Sequence, residues 1–144
     1  MKKRLLKISL VGKTNAGKST LINNLIGEDL SIVNKKINTT EDLIIGIYNY
    51  KQYQVIFYDT PGISNLKTVS KKNNKLKQNL WNGINQSDLI VYLVDVKTYR
   101  FSEIKLNIIK LEEVKKKIIL IFNKNDLIKK NSVLPKIEEL NKNL

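Results

Sequence analysis

A glycine-rich run near the start of the chain has the residue types and spacing that bind phosphate groups. It reads Gly12, Lys13, Thr14, Asn15, Ala16, Gly17, Lys18 and Ser19, which matches the pattern G-x-x-x-x-G-K-[ST], and Thr20 follows. Apolar residues from Leu5 to Val11 precede the run and predict a strand, and apolar residues at helical spacing follow it. In that context main-chain N–H groups curl around phosphate oxygens, and the helix N-terminus adds partial positive charge. We predict that Lys18 reaches the β- and γ-phosphates of a nucleotide and that Ser19 binds Mg²⁺.

A second motif, Asp59-Thr60-Pro61-Gly62, stands at the end of the predicted strand from Gln54 to Asp59. A carboxylate at a strand end can hold Mg²⁺, usually through water. The amide of Gly62 can reach a γ-phosphate. An ordinary Pro-Gly turn is the alternative interpretation. The phosphate loop upstream favours the metal site.

The polar stretch from 28 to 42 is read as a loop, and it contains Thr39 and Thr40. A threonine there can complete the Mg²⁺ shell only when the γ-phosphate is present, which would make this loop a switch. We favour Thr40 for that role. The predicted catalytic residues are Lys18, Thr40 and Gly62, and the predicted metal ligands are Ser19, Thr40 and Asp59.

A third motif, Asn123-Lys124-Asn125-Asp126, ends the apolar run from Ile118 to Phe122. A buried carboxylate such as Asp126 can accept hydrogen bonds from N1–H and the 2-amino group of guanine, whereas adenine offers no donors there. Lys124 can lay its aliphatic stem over the face of the base. Asn123 is expected to tie this loop to the phosphate loop. An ordinary polar loop is the alternative.

Strand-like and helix-like runs alternate along the chain and must position these motifs. Two further strand candidates, Leu43 to Tyr50 and Gln54 to Asp59, are joined near Lys51-Gln52 in a predicted hairpin. The continuous apolar runs Leu89 to Val94 and Ile118 to Phe122 are typical of parallel strands covered on both faces. Helical stripes are predicted after the phosphate loop, near Leu66 to Ile84, over Phe101 to Leu111, and from Ser132, as N-cap, to Leu144. This is an α/β pattern: a mostly parallel sheet with one antiparallel edge strand and helices on both faces, with ligands at the carboxyl ends of the strands.

Composition limits the chemistry that is available. The 144 residues suit one domain, and the absence of cysteine and histidine excludes disulfides, thiolate or imidazole metal sites and Ser-His triads. The net charge of +13 is compatible with polyanion binding, although we favour genomic bias and general solubility as its explanation. No apolar run is long enough to span a membrane, which leaves peripheral contact open. We expect a cytoplasmic protein.

The three motifs occur in the order typical of translation-factor-related GTPases, and in finer detail the chain resembles the Era family of ribosome-assembly GTPases. The matching segments are Gly12 to Thr20 (GKTNAGKST), Ser31 to Thr40 (SIVNKKINTT), Gly46-Ile47 and Tyr53 to Ile63 (YQVIFYDTPGI). The related Der and MnmE GTPases share much of this pattern.

The resemblance implies a P-loop NTPase fold over residues 1–144 that binds GTP or GDP with Mg²⁺ and hydrolyses GTP. It assigns nucleotide binding to residues 12–20, 59–62, 123, 124 and 126. It further implies a role in maturing the small ribosomal subunit through its rRNA. Some relatives use K⁺ held partly by an asparagine at the position of Asn15, so K⁺ stimulation is a hypothesis.

The chain departs from the family pattern in several places. Glu41 stands where the family usually has arginine, and Ile63 stands where Ras-type GTPases place a water-orienting glutamine. Only 18 residues follow Asp126, too few for a sixth strand, a last helix and the KH domain of the family. We therefore expect a C-terminally truncated G domain with an open apolar edge at Ile118 to Phe122, weak nucleotide affinity and marginal stability.

Other functions stay open at this point. The chain could be a guanine-nucleotide-dependent binding module with negligible catalysis, or a truncated fragment without function. The lysines from Lys67 to Lys77 could contact RNA directly, although a solvated helix face explains them as well. ATP as the substrate is disfavoured by Asp126.

Overall fold

The computed structural model describes residues 4–26, 30–35, 43–62 and 74–143 of the chain. The strands in these residues are β1 (Arg4–Gly12), β2 (Leu30–Lys35), β3 (Leu43–Tyr50), β4 (Tyr53–Asp59), β5 (Leu89–Asp95) and β6 (Lys117–Asn123). The helices are α1 (Lys18–Ile26), α2 (Asn74–Gln86), α3 (Phe101–Glu112) and α4 (Val133–Asn143). Two short 3₁₀ turns, Asn125–Leu127 and Lys130–Ser132, connect β6 to α4.

The strands form one sheet in the order β2-β3-β4-β1-β5-β6. Strand β1 pairs in parallel with β4 and β5, and β5 pairs in parallel with β6. Strand β3 is antiparallel to both of its neighbours. The expected α/β architecture, mostly parallel with one reversed strand, is therefore confirmed, and so is the hairpin that joins β3 to β4.

The stretch from 28 to 42, which the polar sequence predicts to be a loop, contains strand β2. Its register with β3 runs from Leu30 opposite Tyr48 to Lys35 opposite Leu43. The antiparallel strand β3 is consequently second from the edge of the sheet and not the edge strand itself. The prediction fails because an edge strand is held by main-chain hydrogen bonds and needs no continuous apolar sequence.

Helices cover both faces of the sheet, as the pattern predicts. On one face Ile90, Tyr92 and Val94 of β5 pack against α2, α3 and α4 in one buried cluster. On the other face Val91 and Leu93 pack with residues of β1, the phosphate loop and α1. The alternation of β5 between two buried faces explains why its sequence is continuously apolar.

Strand β6 is the last strand of the sheet in the described part of the chain. Ile119 is 38% exposed there, as expected for an apolar residue on an uncovered edge strand.

The start of α4 differs from its prediction. Ser132 belongs to a 3₁₀ turn, and its hydroxyl donates to the carbonyl oxygen of Lys129 at 2.7 Å. It is therefore not the N-cap that the sequence suggests, because a preceding helical turn already occupies that position. Among the described residues, none of the helices has the length and apolarity required to cross a bilayer.

Candidate functional site

The phosphate loop lies between β1 and α1, at the carboxyl end of β1. Its backbone includes Asn15 at a φ of 64° and Gly17 at a φ of 96°. At Gly17 a side chain would also collide with the Nδ2 atom of Asn123, which approaches from the loop after β6. The second glycine of the motif is therefore required both by its dihedral angle and by this close approach.

Lys18 opens α1 and is buried, with 7% of its surface exposed. Its Nζ atom donates to the carbonyl oxygens of Gly12 at 3.2 Å and of Lys13 at 3.1 Å. Burial lowers the pKa of Lys18, and the carboxylate of Asp59 opposes this in part. A buried cation whose partners are two neutral carbonyls would gain from an anion such as phosphate.

Ser19 and Asp59 form the second part of the site. The Ser19 hydroxyl donates to Oδ2 of Asp59 at 2.5 Å, which links the start of α1 to the end of β4. The other carboxylate oxygen of Asp59, Oδ1, is buried and has no hydrogen-bond partner among the described residues. A buried oxygen without a donor is costly, and a bound cation would satisfy it.

These oxygens fit Mg²⁺, which prefers carboxylate and hydroxyl ligands. In the described part of the chain no three acidic side chains come together. The cation would therefore complete its shell with nucleotide phosphates and water.

The turn after β4 is fastened to the phosphate loop and to β1. Thr60 is buried, and its hydroxyl donates to the carbonyl oxygen of Leu10 at 2.5 Å. Pro61 is half-buried, and the exposed Gly62 lies against Thr14, whose hydroxyl donates to the Gly62 carbonyl at 3.2 Å. A Cβ on Gly62 would lie 2.6 Å from Cα of Thr14, so no side chain fits there. The contact brings the D-x-x-G glycine next to the phosphate loop.

The loop after β6 meets the phosphate loop through Asn123. Its Nδ2 atom donates to the carbonyl oxygen of Ala16 at 2.9 Å. This is the tie between the two loops that the motif predicts. Ala16 itself is fully buried in the core on the α1 face. The two loops are therefore held at a fixed separation.

Asp126 lies in the 3₁₀ turn Asn125–Leu127 and is exposed. The expectation of a buried carboxylate is wrong at this position, because all three residues of this short turn lie at the surface. An exposed carboxylate at that place can still accept hydrogen bonds from a base laid against the turn.

Two acidic residues that the motifs do not include touch the site. Asp95, the last residue of β5, forms an ion pair with Lys124 at 2.7 Å. Glu103 in α3 forms an ion pair with Lys13 of the phosphate loop at 3.3 Å. Asp95 could have been found from sequence, since it ends an apolar strand as Asp59 does.

Other residues named in the sequence analysis either lie outside the described part of the chain or are exposed on a helix. Thr40, the predicted switch threonine, lies outside the described residues, as do Thr39, Glu41 and Ile63. Thr20 is exposed in the first turn of α1. Lys77 is exposed in α2, whereas residues 67–72 of the lysine-rich stretch also lie outside the described residues.

The described parts of the three motifs come together at the carboxyl ends of β1, β4 and β6. The phosphate loop ends at the buried Lys18 and at Ser19, which bonds to Asp59. A second loop, which carries Asp126, is bonded to the phosphate loop through Asn123. This arrangement suits a molecule with a phosphate tail at one end and a hydrogen-bonding base at the other.

Comparisons with known proteins agree with this geometry. A family model described as 50S ribosome-binding GTPase matches residues 7–124. GTPase Era of Agrobacterium fabrum is 37% identical over 127 residues, which are 88% of this chain and 39% of that protein.

Solved structures of Era share the fold. A crystal structure of an alanine variant of Aquifex aeolicus Era bound to GDP·AlF4⁻ superposes with a TM-score of 0.76 at 32% identity, over 99% of this chain and 48% of that one. A second, of Era in complex with MgGDPNP and nucleotides 1506–1542 of 16S ribosomal RNA, gives 0.75 at 32% identity, over 97% and 47%.

The fold and site thus define a P-loop GTPase domain. The chain belongs to the 50S ribosome-binding GTPase family, and its G domain is of the Era type. It spans less than half the length of these relatives, 39% of the Agrobacterium protein and 48% of the Aquifex chain.

Proposed function

We propose that this chain binds GTP and GDP with Mg²⁺ and hydrolyses GTP at the site between the phosphate loop and the loop after β6. The observation that carries the proposal is the hydrogen bond from Asn123 to Ala16, at 2.9 Å. It fixes the spacing between a phosphate-binding loop and a turn that bears Asp126. A single nucleotide spans those two features when its tail lies in the loop and its base lies at the turn.

The roles of the side chains follow from their positions. Lys18 leaves the carbonyls of Gly12 and Lys13 for phosphate oxygens, which are stronger acceptors because they are charged. Ser19 and Asp59 would hold Mg²⁺, which neutralises charge on the phosphates when it is bound. Gly62 stands beside Thr14 of the phosphate loop, where its amide can serve the γ-phosphate.

Guanine specificity is assigned to Asp126. Its carboxylate would accept from N1–H and the 2-amino group of guanine, and adenine leaves those acceptors without donors. Each charge-assisted hydrogen bond contributes about 1.5–3 kcal/mol in a protected setting. Because Asp126 is exposed, the lower end of that range applies until the base covers it.

Calorimetric titration of the chain with GDP and Mg²⁺ tests the proposal, with wild type compared to Asp126→Asn. The substitution replaces a pair of acceptors with one donor and one acceptor. Preference should therefore move from GDP towards xanthosine diphosphate, whose 2-oxo group accepts a hydrogen bond where guanine donates one. Glu138→Gln is the matched control, since it removes an exposed carboxylate in α4, outside the three motifs.

Two outcomes would contradict the assignment. Wild-type chain that is folded but does not bind GDP at millimolar concentration would remove the proposed function. The Glu138→Gln variant should keep the wild-type preference for GDP over xanthosine diphosphate. If the Asp126→Asn variant also keeps it, Asp126 does not read the base, although the chain can still bind GDP.

The cellular role is proposed by similarity. One relative of known structure is a complex of Era with a 16S ribosomal RNA fragment, and on that basis we propose that the protein acts on the small ribosomal subunit in the cytoplasm. Binding of the chain to a 16S 3′-end oligonucleotide, measured by fluorescence anisotropy, tests the RNA contact. Affinity equal to that for a scrambled RNA of the same length and composition would contradict it.

Potassium stimulation stays a prediction. Asn15 is exposed in the phosphate loop with a φ of 64°, so its side chain is accessible beside a bound nucleotide. GTP hydrolysis should be faster in K⁺ than in Na⁺ and should lose that difference in Asn15→Ala. Equal rates for wild type in the two salts would contradict the hypothesis.

A further inference from the structure

Asp95, the last residue of β5, uses both carboxylate oxygens to join two loops. Oδ1 accepts the main-chain N–H of Lys97 at 2.9 Å, and Oδ2 accepts from Nζ of Lys124 at 2.7 Å. The side chain of Asp95 is 12% exposed and that of Lys124 is 30% exposed, so water screens the pair only in part. Burial acts to raise the pKa of Asp95, but the hydrogen bonds from Lys124 and the Lys97 amide outweigh it and leave the pKa below its ordinary value.

Lys124 has a backbone conformation that is uncommon for a residue with a side chain. Its φ of 62° and ψ of 37° lie in the left-handed region. Such a residue persists only where its surroundings hold it. It begins the 3₁₀ turn that carries Asp126, and its carbonyl accepts the N–H of Leu127 at 3.0 Å. The orientation of that turn therefore depends on Lys124.

The loop after β6 is anchored to the rest of the domain at two residues, Asn123 and Lys124. Asn123 bonds to the phosphate loop through Ala16, and its own carbonyl accepts the N–H of Val96, the residue after Asp95, at 3.2 Å. Asp95 holds Lys124 one residue further along. Without Asp95 the left-handed residue would lose its side-chain anchor, although the strand pairing before it would remain.

We propose that Asp95 is a positioning residue for purine recognition. It holds the ammonium of Lys124 at the end of β5, so that the aliphatic stem of this lysine is positioned to pack against the face of the base. It thereby keeps the left-handed turn in place and Asp126 within reach of the base edge. The inference rests on the proposed function, because it names a further residue that the same site requires.

The chain offers a matched control at the other end of the same strand. Asp88 directly precedes β5, and its Oδ2 accepts the main-chain N–H of Lys7 at 2.9 Å. Asp88→Asn and Asp95→Asn therefore remove the same charge, and in each case the remaining amide oxygen can keep the main-chain hydrogen bond. The two variants differ because only Asp95 is paired with a lysine of the loop after β6, Lys124.

The experiment is calorimetric titration of the full chain with GDP and with inosine diphosphate, which lacks the 2-amino group, in the presence of Mg²⁺. Asp95→Asn should weaken GDP binding about tenfold and reduce the preference for GDP over inosine diphosphate. Asp88→Asn should leave both unchanged. Thermal unfolding without nucleotide verifies that each variant folds. Lys124→Met removes the other partner of the ion pair and should weaken GDP binding in the same way.

A double-mutant cycle separates positioning from a general effect on stability. If Asp95 acts through Lys124, Asp95→Asn should have no further effect on GDP affinity in a Lys124→Met background. An equal loss in both backgrounds would overturn the proposal, and so would GDP binding by Asp95→Asn that matches Asp88→Asn. If the folded wild-type chain binds no GDP, the proposed function and this inference both fail. If the wild type binds GDP and the Asp95→Asn variant has the same GDP affinity, only this inference fails.

Discussion

The Nδ2 atom of Asn123 lies 2.9 Å from the main-chain oxygen of Ala16, 107 residues earlier in the chain. This hydrogen bond connects the loop after the edge strand β6 to Ala16, a buried residue in the second half of the phosphate loop. It also explains why Gly17 has no side chain, because a Cβ there would occupy the place of the Asn123 amide. One side chain therefore bonds the two halves of the site to each other directly.

Replacing Asn123 with alanine should weaken binding of GDP and GTP about equally, by roughly fivefold, since a partly buried hydrogen bond contributes about 1 kcal/mol. Isothermal calorimetry measures both affinities. Asn125→Ala is the control, because the Asn125 side chain donates to the main-chain carbonyl of Phe122, near the end of β6, at 3.0 Å. Equal affinities in the two variants would show that the tie to Ala16 does not matter for the nucleotide.

Ser19→Ala should separate metal binding from nucleotide binding. The hydroxyl of Ser19 and the unpartnered Oδ1 of Asp59 are the proposed protein ligands, and loss of the hydroxyl leaves the carboxylate alone. GDP affinity of the wild type should rise when Mg²⁺ is added, and Ser19→Ala should need about 10- to 100-fold more Mg²⁺ for the same rise. Ser102→Ala, an exposed serine of α3, should behave as wild type. A variant that keeps the full response to Mg²⁺ would remove Ser19 from the metal site.

The main features of this site are predictable because they are local in sequence. The phosphate loop is one continuous motif, and the carboxylate of Asp59 directly follows an apolar strand. Parallel strands end at the same edge of a sheet, so strand-end residues such as Asp59 and Asn123 are expected to meet near that loop. The bond from Asn123 to Ala16 agrees with this reasoning.

The features that were missed depend on partners remote in sequence or on main-chain pairing. Strand β2 is held by β3 through its backbone, and its polar sequence carries no periodic signal. The exposure of Asp126 follows from its place in a short surface turn, which the motif does not encode. The pairing of Lys124 with Asp95 needs β5 and β6 to be neighbours, and only the topology reveals that.

Gly62→Ala should affect hydrolysis more than binding. An added Cβ would lie 2.6 Å from Cα and 2.7 Å from N of Thr14, so main chain and not a flexible side chain must move. The amide of residue 62 would then leave the position proposed for γ-phosphate contact, and single-turnover GTP hydrolysis should slow by about 100-fold. GDP affinity, which needs no γ-phosphate contact, should change little.

Thr14→Ala provides the control for that experiment, since it removes the hydrogen bond to Gly62 without adding an atom. Its hydrolysis rate should fall by less than that of Gly62→Ala. If wild type itself leaves bound GTP unchanged over hours, the chain is a nucleotide-dependent binding module and not a catalyst. Equal rates for Gly62→Ala and wild type would show that this glycine does not serve the γ-phosphate.

Lys18→Met should abolish tight nucleotide binding and yet leave the nucleotide-free chain at least as stable as wild type. Burial lowers the pKa of Lys18 from its ordinary value of 10.5, with partial opposition from Asp59, so the folded chain holds this charge at a cost. The unfolded chain binds more protons between the lowered pKa and 10.5, and the contribution of Lys18 to stability therefore rises with pH across that window. Below the window the cost is constant.

Urea denaturation of both chains from neutral pH towards 10.5 measures this contribution as a difference between two free energies of unfolding. Tyr58, Tyr92 and Tyr99, whose pKa values burial raises, titrate in both chains and cancel in the difference. The advantage of Lys18→Met should be largest at neutral pH and should shrink as the pH rises, while Lys130→Met, an exposed lysine, should show no such trend. A variant less stable than wild type by the same amount at every pH would mean that the bonds of Lys18 to Gly12 and Lys13 outweigh the cost of its burial.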